Sequence, residues 1–133
     1  VKILIKHAVT IFCSLLDITA AEKYNGTIEQ AGRALRGIST APNEDLLILL
    51  KRALFAWLIA DGDMHLKNIA VLKVALADQT SFQSIRMAPI YDLVSTVVFP
   101  NLKNDTMTIK LNGKANRIKR KDFITVAATI GLK

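Results

Sequence analysis

The sequence holds a single cysteine, Cys13, so neither an internal disulfide framework nor a multi-cysteine zinc site can form. Two histidines, His7 and His65, leave little for a histidine-built metal centre. Aromatic residues are only 6% of the chain, which makes the expected core aliphatic. The six glycines are scattered, and no glycine-rich phosphate loop is among them. Long hydrophobic runs are missing too. The most apolar helical stretch, 46–60, is interrupted by Lys51 and Arg52 and falls short of the roughly 20 residues that a membrane span needs. One thiol and no span make a reducing, cytoplasmic location the expectation. There is no internal repeat, low-complexity stretch or long linker.

What is present is a globular composition. Hydrophobic residues make up 51% and charged residues 22% of 133 residues, about one domain's worth. Lys and Arg total 18 against 11 acids, giving +7, a balance that points to anionic partners such as nucleic acid and says nothing of fold. The excess gathers in 103–121, where Lys103, Lys110, Lys114, Arg117, Lys119, Arg120 and Lys121 face one acid, Asp105. Such a run is first of all a solvated face. No aromatic interleaves it, which weakens a single-strand-binding reading.

The periodicities predict a mainly helical chain with a small β-hairpin. Ile3, Leu4, Ala8, Ile11, Phe12, Leu15 and Leu16 have 3/4 spacing, a helix over about 1–20. Lys2 and Lys6 ahead of 8–16 have the outline of a signal peptide, but Val1 and Asp17 favour an amphipathic helix in a piece of a longer protein. Asn25-Gly26 is a turn. Thr27 with Gln30 is a capping box opening a helix that Gly37 stops. Asn43 is placed to cap a helix over 44–60 that is apolar nearly all round and therefore central, with Glu44 and Asp45 in its first turn. Residues 69–74 and 84–88 read as a hairpin around 78–81. Met107, Ile109 and Leu111 alternate toward the tight-turn pair Asn112-Gly113, and a last helix starts at Asp122 or Thr125 and stops at Gly131.

The chemistry sits where the central helix runs out. Within six residues the chain presents Asp63, His65, Lys67 and Asn68, and a strand follows. Asp63 and Asn68 have the Asp-x-x-x-x-Asn spacing of a kinase catalytic loop. The Asp accepts the proton of the attacking hydroxyl, the Asn turns back to a magnesium ion, and four intervening residues let one loop do both. Asp92 comes after the hairpin, the order in which kinases supply the second metal-holding Asp.

These residues resemble the C-terminal part of the HipA family, the toxin kinases of bacterial toxin–antitoxin pairs. The match runs through Phe55-x-Trp57-Leu58-Ile59, Asp63-x-His65-x-Lys67-Asn68 and Ala88-Pro89-x-Tyr91-Asp92-Leu93-x-Ser95-Thr96. Lys23-Tyr24 and the tail 110–114 through Asp122-Phe123 also fit. The resemblance implies the C-terminal helical lobe of a protein-kinase-like fold, its N-terminal lobe lying outside 1–133. It implies ATP as substrate and magnesium as cofactor. Asp63 becomes the catalytic base, Asn68 and Asp92 the magnesium ligands, His65 a bracing residue and Lys67 a residue near the phosphates or the base. It further implies transfer to a protein serine or threonine, with an aminoacyl-tRNA synthetase as target, a HipB-like helix-turn-helix antitoxin and operator DNA reached through that complex. The chain departs from the family at Ala60-Asp61-Gly62, where Gly-Asn-Thr-like residues are usual.

Two other readings stay open. Asp-x-His-x-x-Asn also fits kinases of aminoglycosides or choline, although those carry a His where this chain has Asp61. A non-enzymatic module could bind antitoxin and DNA through 103–121. Elsewhere, Phe55, Trp57, Tyr91 and Cys13 read as core, with the Tyr91 hydroxyl tied to a partner, and Ser95 and Thr96 as helix caps.

Overall fold

The computed structural model describes residues 4–132. It is a mixed α+β fold, a three-stranded antiparallel sheet beside a helical layer. The predicted hairpin is there: β2 (Ala70–Leu76) pairs with β3 (Ser84–Met87), Val71 opposite Met87 and Val74 opposite Ser84.

The predicted first helix is corrected. Its opening residues, 1–3, lie outside the described part, and Ile5–Ile11 form a strand, β1, pairing with β2 from Ile5 opposite Leu76 to Ile11 opposite Ala70. Only Phe12–Leu15 is helical, α1. Ile5, Val9, Thr10 and Ile11 are β-branched and suit a pleated edge. The waiting edge of β2 overrides their 3/4 spacing. Phe12 and Cys13 turn inward into the core, as expected for the thiol.

α2 (Ile28–Ile38) starts on the predicted box: the Thr27 hydroxyl accepts from Gln30 N–H at 3.1 Å, and the Gln30 carboxamide accepts from Thr27 N–H at 3.0 Å. It runs through Gly37 and buries Ile28, Ala31 and Leu35. α3 (Pro42–Leu58) starts before Asn43, with Pro42 in the first turn, where its missing N–H costs nothing. Asn43 is therefore no cap. Nor is α3 apolar toward the core on all sides. It buries Asp45, Leu46, Leu49, Ala53 and Ala56, while Leu47, Leu54, Phe55 and Leu58 are exposed. Phe55 is thus not core, and Trp57 is half-buried against Phe123, ring centres 5.6 Å apart. Buried Asp45 accepts from the Ser39 hydroxyl at 2.6 Å and from Arg86 Nε at 3.1 Å, tying the start of α3 to β3.

Met107, Ile109 and Leu111 are fully buried as their alternation predicts, although 106–111 makes only isolated bridges and no strand. Asn112 (φ 51°) and Gly113 (φ 71°) are both left-handed, the tight turn expected, with Leu111 and Lys114 exchanging backbone bonds of 2.9 and 3.0 Å across it. The last helix, α4 (Arg120–Thr129), begins earlier than predicted because Asp122 works from inside its first turn, accepting Lys119 N–H at 2.7 Å. The same buried carboxylate accepts from Lys114 Nζ at 2.7 Å and Asn112 Nδ2 at 2.8 Å.

Lys114 first, then Asn112 and the Lys119 amide, hold the Asp122 carboxyl well below the usual carboxylate range. A depressed pKa stabilises the fold above the unfolded value, about 3.9, and that contribution fades as pH falls from there toward the folded value. Asp122→Asn should therefore destabilise the chain at pH 7, and its deficit in urea unfolding should shrink steadily below about pH 4. A deficit that does not change with pH would contradict this role for the charge.

Candidate active site

α3 ends in a left-handed Ala60 (φ 52°), which throws the chain sideways into the loop 61–68. That loop closes with one 3-10 turn, Leu66–Asn68, directly before β2. The segment after β3 comes back against it. The Ser95 hydroxyl donates to Ile59 C=O at 2.6 Å, and the Thr96 hydroxyl donates to Ala60 C=O at 2.9 Å and accepts Gly62 N–H at 3.0 Å. Ser95 and Thr96 are thus stitches between two loops; Ser95 precedes a 3-10 turn at Thr96–Val98 but makes no side-chain cap bond there.

Asn68 and Asp92 meet directly, Asn68 Nδ2 donating to Asp92 Oδ2 at 2.8 Å. Asn68 Oδ1 accepts His65 N–H at 3.0 Å, which fixes which way the amide points. Asp92 takes a left-handed backbone (φ 55°), sparsely populated but tolerated by Asp. Both residues line a small cleft with Arg52, Asp61, Met64 and Tyr91.

Asp63 lies on the same loop with its side chain half exposed, one oxygen accepting the Tyr24 hydroxyl at 2.7 Å. His65 is buried, its Nε2 4.0 Å from Asp63 Oδ1, too far for a hydrogen bond, and its ring edge-on to Tyr24 at 5.1 Å. Burial first, then the Lys23 charge, push the imidazole below its ordinary value, so it is neutral at pH 7. Lys67 offers its backbone carbonyl to the Tyr91 hydroxyl; its ammonium makes no ion pair among the described residues. Tyr91 is tied as expected, yet the residue is 39% exposed and not core.

Three contributors make contacts not assigned from sequence, Thr96 having been read only as a helix cap. Buried Asp61 accepts Asp63 N–H at 3.1 Å. Burial pushes its carboxyl up, against the Asp63 and Val94 backbone donors that favour the anion. Thr96 is the second. The third is Tyr24, whose signal was present in Lys23-Tyr24 but whose contact with Asp63 is set by folding.

The donors suit magnesium. Asp92 and Asn68 offer hard oxygens, and Mg²⁺ needs only one or two protein ligands when phosphates and water complete its shell. Asn68 Oδ1 keeps a second lone pair after His65 N–H, and Asp92 Oδ1 is not the oxygen bonded to Asn68. No cluster of three or more His, Cys, Asp or Glu able to hold a metal occurs among the described residues.

Known proteins resemble this chain in sequence and in fold. Residues 4–133 match the HipA-like C-terminal domain. Two Sinorhizobium fredii proteins are similar in sequence. "Putative kinase Y4mE" is 35% identical over 95 residues, covering 68% of this chain and 21% of that protein. "Putative kinase Y4dM" is 32% identical over 89 residues, covering 66% and 20%. The chain thus spans about a fifth of the length of these relatives. A chain from the Shewanella oneidensis MR-1 toxin–antitoxin complex of HipA, HipB and operator DNA superposes with a TM-score of 0.76 at 16% identity, covering 96% of this chain and 32% of that one. That likeness establishes the fold: the sheet and helices described above are those of a HipA C-terminal region. The chain belongs to the HipA-like C-terminal domain family.

Proposed function

We propose that these residues form the catalytic-loop side of an ATP- and magnesium-dependent phosphotransferase. The observation that carries the reading is the 2.8 Å contact of Asn68 with Asp92, on the loop that also holds out the half-exposed Asp63 carboxylate. Family membership and the names of the two relatives support it.

In this reading Asp63 accepts the proton of the attacking hydroxyl. Asn68 Oδ1 and Asp92 would hold the magnesium, which supplies charge neutralisation on the phosphates. Neutral His65 braces the loop through its backbone N–H to Asn68. Lys67, unpaired among the described residues, is placed on the loop to serve the phosphates or the base. Residues 1–133 carry no glycine-rich phosphate loop, so they alone bind nucleotide poorly and turn over below easy detection.

The acceptor is a protein serine or threonine, with an aminoacyl-tRNA synthetase as candidate, and a HipB-like antitoxin as partner. What supports that context is the family and the neighbouring HipA, HipB and operator DNA complex. Asp61 argues against an aminoglycoside- or choline-type kinase, since it is buried and spent on a backbone N–H at the position where those enzymes carry a His. A contribution to DNA contact is favoured by Lys103, Lys110, Arg117, Lys119, Arg120 and Lys121, all exposed, whereas Lys114 is occupied by Asp122. Phosphate contacts of that kind weaken with salt whatever the sequence.

In the full-length protein that contains these residues, Asp63→Ala should lower transfer from radiolabelled ATP by about 10²–10⁴-fold while leaving the thermal transition in place. Asp92→Ala should in addition weaken magnesium-dependent nucleotide binding in calorimetry. Wild-type transfer by Asp63→Ala would end the base assignment.

A further inference from the structure

The segment ahead of α2 is docked onto the catalytic loop at several points. Leu66 N–H donates to Lys23 C=O at 3.3 Å. Gly26 lies so close to Leu66 that a Cβ there would overlap that side chain and force it to shift. Between these two anchors stands Tyr24. Lys23 Nζ lies 4.7 Å over one face of its ring, and the ring meets the buried His65 edge-on. The phenol ring thus has two neighbours, Lys23 and His65, and its hydroxyl donates to Asp63 Oδ1 at 2.7 Å.

From this geometry we propose that Tyr24 is a positioning residue for the Asp63 carboxylate, an inference that rests on the phosphotransferase reading and deepens it. A half-exposed carboxylate without a fixed partner turns about χ1 and χ2, and a base that samples several rotamers spends little time aligned with its acceptor. A charge-assisted O–H···O⁻ bond from a fixed donor removes that freedom. Oδ1 is held by Tyr24, while Oδ2 takes no side-chain hydrogen bond among the described residues and the side chain stays half exposed. The division leaves one oxygen fixed and one presented to an incoming hydroxyl. Tyr24 acts through Asp63 and need not touch the reacting atoms. Gly26 and the Lys23 carbonyl set its distance, so the short stretch 23–26 couples the start of α2 to the aim of the base.

Tyr24→Phe isolates the hydroxyl, because the ring keeps its seat against His65 and under Lys23. In the full-length protein, with magnesium, radiolabelled ATP and a serine/threonine peptide library as acceptor, kcat should fall about 10-fold with KM for ATP unchanged. In the 133-residue chain, three-bond couplings should show one Asp63 χ1 rotamer in the wild type and averaging in Tyr24→Phe, a readout that needs no activity. Wild-type kcat or a single retained rotamer in Tyr24→Phe overturns the proposal. Asp63→Ala measured beside it separates the failures. An inactive Asp63→Ala with a fully active Tyr24→Phe removes only the role of Tyr24. Full transfer by Asp63→Ala removes the phosphotransferase reading and this inference with it.

Discussion

The carboxamide of Asn68 has an acceptor end and a donor end, and both are engaged. Its oxygen takes the His65 N–H and closes the 61–68 loop on itself; its nitrogen donates a hydrogen bond to Asp92 and joins that loop to the one after the sheet. Because Asn68 is buried, an unpaired end would cost the desolvation of that group, of order 1–3 kcal/mol. The two loops therefore have one relative placement that satisfies the amide. Aspartate at 68 would meet Asp92 as a like charge, and leucine would leave His65 N–H without its acceptor. The spacing between Asp63 and Asn68 matters because the amide anchors one end of a loop whose other end presents the half-exposed Asp63 carboxylate.

The scaffold serves this junction from both sides. β2 begins two residues after Asn68 and is the central strand, so the loop leaves on a rigid element. Before it, α3 is fixed at its start by buried Asp45 with Ser39 and Arg86, and its end is turned by Ala60 and sewn down by Ser95 and Thr96. The Thr108 hydroxyl adds a bond to Gly62 C=O from the tail. Three hydroxyl groups on two separate stretches of chain thus meet backbone groups of residues 59–62, which have no helical partners left to use.

The parts legible in the sequence are those decided by neighbours along the chain. The Thr27–Gln30 box, the Asn112-Gly113 turn, the 70–87 hairpin and the 63–68 loop each carry their reason within a few residues. Asp92 was legible by its order after the hairpin. β1 was not, because its partner strand lies far along the chain and the apolar spacing of 3–16 mixes a β-branched strand with the helical turn that follows. The outward face of α3 was missed for a related reason: leucines and Phe55 on all sides read as burial, and only packing shows that α2 and the sheet cover one side. The contacts of Asp61, Thr96 and Tyr24 were not legible, although the residues stood out, since those contacts are with backbone or with one carboxylate brought near by folding, and nothing in their spacing encodes them.

The central claim is that Asn68 and Asp92 form one side of a metal site. Manganese, which shares magnesium's preference for oxygen ligands, reports its own location by broadening nearby resonances. Titrating Mn²⁺ with ATP into the isotopically labelled chain should first erase the amide signals of 67–69 and 91–93, and Asp92→Asn should remove that pattern while the remaining spectrum stays folded. Early broadening confined to other acids, such as Asp78 or Asp105, or the same broadening at 67–69 and 91–93 in Asp92→Asn, would contradict the account.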